Sequence, residues 1–170
     1  LETVIAGKSK GYSGYPFFNS PDEYVTALSD AGFHLLTTAN NHSLDKGEKG
    51  LLRTITVLNE LGIHYTGTYV SKKDRDSIRI ININGIKIAF LAYTYGTNGI
   101  PIPKGKNYLI NLIDDELIER DIKKAREDAD LVLVHYHFGE EYKREPVQSQ
   151  INAVNKAIEF GADIIIGGHP

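Results

Sequence analysis

The sequence predicts an α/β domain with a mixed sheet, its strands largely parallel and one pair antiparallel. Three observations carry this. Amphipathic helical stretches alternate with short apolar runs along most of the 170 residues, the pattern of parallel strands joined by crossover helices. The runs at 33–39, 131–134 and 163–166 are too short for helices, and each ends in a polar cluster containing a histidine. Between them, the β-branched runs 78–83 and 86–93 flank Asn84-Gly85, the dipeptide of a type I′ hairpin turn.

Taken in order, residues 1–19 are rich in Gly, Ser and Tyr and read as a loop. Ser20-Pro21-Asp22-Glu23 has the form of a capping box. It predicts a helix to about residue 31 with Tyr24, Val25 and Leu28 inward and Gly32 as its stop. After the strand at 33–39, Leu51, Leu52, Ile55, Leu58 and Leu61 mark a second helix ending at Gly62, and 63–66 is a short strand. The loop 94–111 is long enough to be functional or mobile. A third helix starts near Asp114, with Ile118, Ile122, Ala125 and Ala129 on one face. The continuous run 131–134 predicts a strand buried on both faces. A fourth helix carries Val147, Ile151, Val154 and Ile158, and 163–166 is a second buried strand. In one parallel sheet with right-handed crossovers, the three histidine-bearing strand ends would share an edge. That edge is where open α/β sheets bind ligands.

Composition excludes more than it selects. A hydrophobic fraction of 41% and a charged fraction of 24% are those of an ordinary globular domain. Net charge is −3 with dispersed basic residues, so there is no phosphate-backbone footprint and no nucleic-acid partner is expected. The absence of cysteine rules out disulfides, thiolate metal sites and a cysteine nucleophile. Any metal must take nitrogen and oxygen ligands. No Walker loop, G-x-S-x-G elbow or G-x-G-x-x-G is present.

Two readings stand for Asn40-Asn41-His42-Ser43-Leu44-Asp45. Asn carbonyl and imidazole nitrogen are ligands for Mn, Zn or Fe, and the same residues suit an Asx-rich turn. His135 and His137 lie two apart on an extended segment and face the same way, as a ligand pair or as a strand end with one exposed histidine. Gly168 before His169 lets backbone approach closely. The charge run Glu140, Glu141, Lys143, Arg144 and Glu145 reads as a solvated loop, while Tyr142 among them is less easily dismissed.

Ala39-Asn40-Asn41-His42-Ser43-Leu44-Asp45-Lys46-Gly47, His137-Phe138-Gly139-Glu140-Glu141-Tyr142 and Gly161-Ala162-Asp163-Ile164-Ile165-Ile166-Gly167-Gly168-His169-Pro170 together resemble the bacterial capsule-synthesis family called CapA or PgsA, associated with poly-γ-glutamate capsules. Phe18-Asn19-Ser20-Pro21 and residues 85–94 extend the resemblance over nearly the whole chain. Phe138 stands where the family usually has Trp. The resemblance implies a layered α/β/α-type metallophosphoesterase-like fold, here a single domain continuing beyond both ends, since the family's opening Gly-Asp precedes Leu1 and a further His follows Pro170.

It also implies roles. Asn41 resembles the bridging metal ligand, and His137, His169 and Glu2 further metal ligands. His42, with Asp45, resembles the group that protonates a leaving oxygen. Asn40, Glu141 and Tyr142 would contact substrate. The implied cofactor is a pair of divalent ions, Mn, Zn or Fe. The implied substrate is an anionic polymer or phosphoester, and the implied partners are membrane-bound synthase components. The implied location of the parent protein is membrane-anchored and outside the cytoplasm. The alternative is a non-catalytic envelope component that keeps the fold and binds polymer.

Overall fold

The computed structural model describes residues 1–169, which divide into two units. The first comprises Leu1–Asp76 and Gly96–Asn111, the second Ser77–Tyr95 and the described chain from Leu112 onward. Among the described residues no helix is long and apolar enough to cross a membrane.

In the first unit, α1 (Asp22–Asp30), β1 (Leu35–Thr37), α2 (Gly47–Glu60), β2 (His64–Thr66) and the single turn α3 (Lys72–Arg75) follow in sequence. Strands β1 and β2 pair in parallel, Leu36 opposite Tyr65. Thr38 extends the pairing, its amide donating to Thr66 O at 2.9 Å and its hydroxyl meeting that of Thr68 at 2.7 Å. The core gathers Ile5, Val25, Leu36, Leu44, Leu51, Ile55, Leu58 and Tyr65. The loop at 96–111 contributes Leu109 to it, fully buried in a 3-10 turn.

Two expectations fail here. The capping box at Ser20 does not form: Pro21 occupies the N-cap without a side-chain hydrogen bond. The Ser20 hydroxyl instead meets that of Thr3 at 2.9 Å. Helix α1 is tethered by Asp22, which accepts both Arg53 guanidinium nitrogens at 2.7 and 2.8 Å. That hydrogen bond holds the Asp22 carboxyl below its usual range. Tyr24, expected inside, is exposed, and α1 buries Val25.

The second unit contains β3 (Arg79–Ile83), β4 (Ile86–Thr94), α4 (Asp115–Arg126), β5 (Leu131–His137), α5 (Gln148–Phe160) and β6 (Ile164–Gly168). Its sheet runs β3-β4-β5-β6, with β3 antiparallel and the others parallel. Asn84 and Gly85 both have positive φ, 52° and 91°, as a type I′ turn requires. The mixed sheet with one Asn-Gly hairpin is therefore as predicted. The single shared edge is not, because β1 pairs in a two-stranded sheet with β2 while β5 and β6 belong to this four-stranded one.

Helices α4 and α5 supply Ile118, Ile122, Ala125 and Ala157, packed with Leu91, Val132, Val134 and Tyr136. On the other face Ala92, Thr94 and His137 are buried near the strand ends, while the residues before them are half-buried or exposed. Val132 and Val134 are inaccessible while Leu131 and Leu133 are half-buried, so β5 alternates where a doubly buried strand was expected. In β6, Ile164 and Ile166 are exposed and Ile165 faces the core. Helix α5 is rotated from its predicted phase: Ile151 and Ile158 are exposed, the latter 58%, and the buried stripe runs through Ala153, Val154, Ala157 and Phe160. Small residues let a helix approach the sheet closely, and the larger isoleucines fall outside the contact.

Candidate metal and proton-transfer residues

In the first unit the polar residues after β1 form consecutive tight turns. Asn40 Oδ1 accepts the His42 amide at 2.9 Å, an Asx-turn. Its Nδ2 donates to Leu1 O at 2.7 Å and to Thr38 O at 3.2 Å. The Ser43 hydroxyl accepts the Asn40 amide at 3.0 Å and lies 2.7 Å from Thr38 O. Asn40 and Ser43 are thus the frame of the turn, and the frame aims its neighbours. Asn41, buried, donates through Nδ2 to Asn98 Oδ1 at 3.1 Å, which directs the amide oxygen the opposite way.

His42 is held by a carboxylate. Its Nδ1 lies 2.7 Å from Asp45 Oδ2, and the Asp45 side chain is wholly inaccessible. An ionised carboxylate only accepts, so Nδ1 carries the proton and Nε2 is left as the exchangeable nitrogen. The same Asp45 oxygen accepts the Phe18 amide at 2.7 Å. The Phe18 ring meets the His42 imidazole edge-on at 4.4 Å. Asp45 Oδ1 is buried with no hydrogen-bond partner among the described residues. Glu2 lies exposed at the start of this unit.

In the second unit strand register assembles a different group. Thr94 lies opposite His137 and His137 opposite Gly168, so β4, β5 and β6 end in line. His137 and His169 come together there, ring centroids 4.8 Å apart, each offering a nitrogen within 4.8 Å of the other's. A Cβ at Gly168 would stand 3.4 Å from His135 Nε2 and 3.6 Å from His137 Nδ1, ordinary contact distances. Two imidazole nitrogens this close suit a Mn, Zn or Fe ion. His135 is not grouped with them; burial lowers its pKa, and its buried Nδ1 has no partner among the described residues.

Glu141 Oε1 lies 3.6 Å from His169 Nε2, while Tyr142 projects from the surface, 97% exposed. Sequence reading missed Phe18 and Asn98, which act on His42 and Asn41, and Tyr95, which packs on both His137 and His169. Of these, Phe18 lies in a motif that carries the family resemblance, and Asn98 in the long loop 94–111.

A Staphylococcus aureus chain with a proposed 5′-nucleotidase function, solved with α-ketoglutarate, superposes with a TM-score of 0.58 at 19% identity, over 86% of this chain and 31% of that one. At that identity the likeness concerns fold alone, a mixed α/β one. The profile of the family described as bacterial capsule synthesis protein PGA_cap matches residues 1–170, and the chain belongs to that family. It is 36% identical over 157 residues to the capsule biosynthesis protein CapA of Bacillus anthracis, covering 89% of this chain and 38% of that protein. It is 32% identical over 150 residues to the PGA biosynthesis protein CapA of Bacillus subtilis, covering 87% and 39%. The chain therefore spans less than two fifths of the length of these relatives.

Proposed function

We propose that this chain supplies a metal-dependent hydrolase site to an envelope protein of capsule assembly. The observation that supports it most is the pairing of His137 and His169 at the aligned ends of β5 and β6. In this reading the two imidazoles are cation ligands, and Glu2 and Asn41 of the first unit are the further donors that the family resemblance implies. Bound divalent ions would supply a water of lowered pKa and positive charge for a developing oxyanion.

The chain's own residues do the rest. Asp45 fixes the Nδ1 proton of His42 and stabilises the imidazolium, so that Nε2 hands a proton to the leaving oxygen. Asn40 holds the turn that aims His42, and Glu141 steadies His169. In the same reading Glu141 and the exposed Tyr142 contact substrate. The relatives' capsule and PGA biosynthesis names support an anionic polymer or phosphoester as substrate. Membrane-bound synthase components as partners and an anchored position outside the cytoplasm belong to the same proposal.

The test is polymer production in cells carrying the full-length protein with His42→Ala or His137→Ala. Loss of polymer in both at normal protein level is expected; undiminished production in both contradicts a catalytic role.

A further inference from the structure

Tyr95 follows the last residue of β4 and stands, like His169 after β6, one position beyond the aligned strand ends. Its amide donates to His137 O at 3.0 Å, which fixes its backbone to β5. Its ring lies nearly parallel to the His137 imidazole, 10° between planes at 6.4 Å, and 5.2 Å from the His169 ring at 37°. With 4.8 Å between the two imidazoles, the three rings form one group. The orientation of an imidazole about χ2 is otherwise broad, and two of them serve one cation only when a nitrogen of each is directed at the same position. Yet Tyr95 remains 47% exposed, so it is not a core side chain.

We propose that Tyr95 is the positioning residue of the His137–His169 pair: its ring walls both imidazoles, keeps their nitrogens convergent and thereby sets their affinity for a divalent cation. This rests on the metal reading above and extends it to a residue outside the ligand set.

The experiment is a calorimetric Zn²⁺ titration of the unaltered chain, Tyr95→Phe and Tyr95→Leu, beside ¹H–¹⁵N imidazole spectra recorded without metal. Ligand-orienting partners contribute about 10–100-fold to metal affinity, so Tyr95→Leu is expected to bind at least about tenfold more weakly and Tyr95→Phe within about twofold of the unaltered chain. The His137 and His169 resonances should move in the Leu variant while those of His34 and His64 stay. Tyr95→Ser replaces the Leu variant should the latter lose its native circular dichroism. Unchanged affinity and spectra in the Leu variant overturn the role of Tyr95 and leave the metal reading intact. A Phe variant as weak as Leu overturns ring packing as the cause. No Zn²⁺ binding by the unaltered chain overturns the metal reading and the role of Tyr95 with it.

Discussion

Asp45 Oδ2 accepts two hydrogen bonds at 2.7 Å, one from the Phe18 amide and one from His42 Nδ1. The first ties the carboxylate to the segment before α1, and the second settles which nitrogen of His42 is exchangeable. Asp45→Asn keeps the shape and removes the charge that stabilises an imidazolium. Positioned acid–base groups contribute about 10²–10⁴-fold, so the proposed hydrolysis is expected to fall on that order in Asp45→Asn and in His42→Gln, and by little more in the double variant. Rates measured at equal metal content check this. Additive losses would show that the two residues act separately.

The hairpin at Asn84-Gly85 and the His42, His137 and His169 clusters were legible in the sequence because their signals are local: two residues set a turn, and a polar group at the end of an apolar run marks a strand end. Tyr95 was not, because its place beside His137 and His169 comes from the register of β4, β5 and β6, which no single segment encodes. The phase of α5 was misread for a related reason. Ile151 and Ile158 repeat at helical spacing, but the sheet selects Ala153 and Ala157 because they admit a closer backbone. At Ser20 a local capping signal lost to a longer-range partner, the Thr3 hydroxyl.

Gly139 has φ +120°, and a Cβ there would lie 2.5 Å from Gln150 Nε2 and 3.2 Å from His169 O. Gln150 Oε1 accepts the Val147 amide at 2.8 Å at the start of α5, so displacing that side chain frees the helix terminus. Gly139→Ala is expected to cost about 1–3 kcal/mol, read as a lower thermal midpoint at roughly 2–4 °C per kcal/mol. A midpoint equal to that of the unaltered chain would contradict this.

Asp163 anchors the start of β6. Its Oδ2 accepts the Val132 amide at 2.7 Å and meets Arg126 Nη2 at 2.5 Å. Partial burial pushes its pKa up, but the hydrogen bonds from Arg126 and Val132 outweigh this and leave it below the usual carboxylate range. A depressed carboxyl contributes stability above the unfolded value of about 3.9, and that contribution is lost as pH falls through the lower folded value. The stability gap between the unaltered chain and Asp163→Asn, from urea unfolding, is therefore expected to be full at neutral pH and to narrow below about pH 4. A gap that widens on acidification would contradict the sign.

Ile122 is fully buried between α4 and the second-unit sheet. Ile122→Ala is expected to cost about 2–5 kcal/mol through lost contact and the cavity it leaves. Ile158→Ala, on the exposed side of α5, should cost under about 1 kcal/mol. Equal losses at the two positions would contradict the assigned helix phase.

The most direct measurement is the divalent-metal content of the chain and of His137→Ala, by mass spectrometry after exposure to Mn²⁺ or Zn²⁺ and gel filtration. At least one ion per unaltered chain is expected, falling severalfold in His137→Ala with circular dichroism unchanged. No retained metal in the unaltered chain, or equal metal in the variant, would contradict the assignment of His137 and His169 as the imidazole ligands of a hydrolase site.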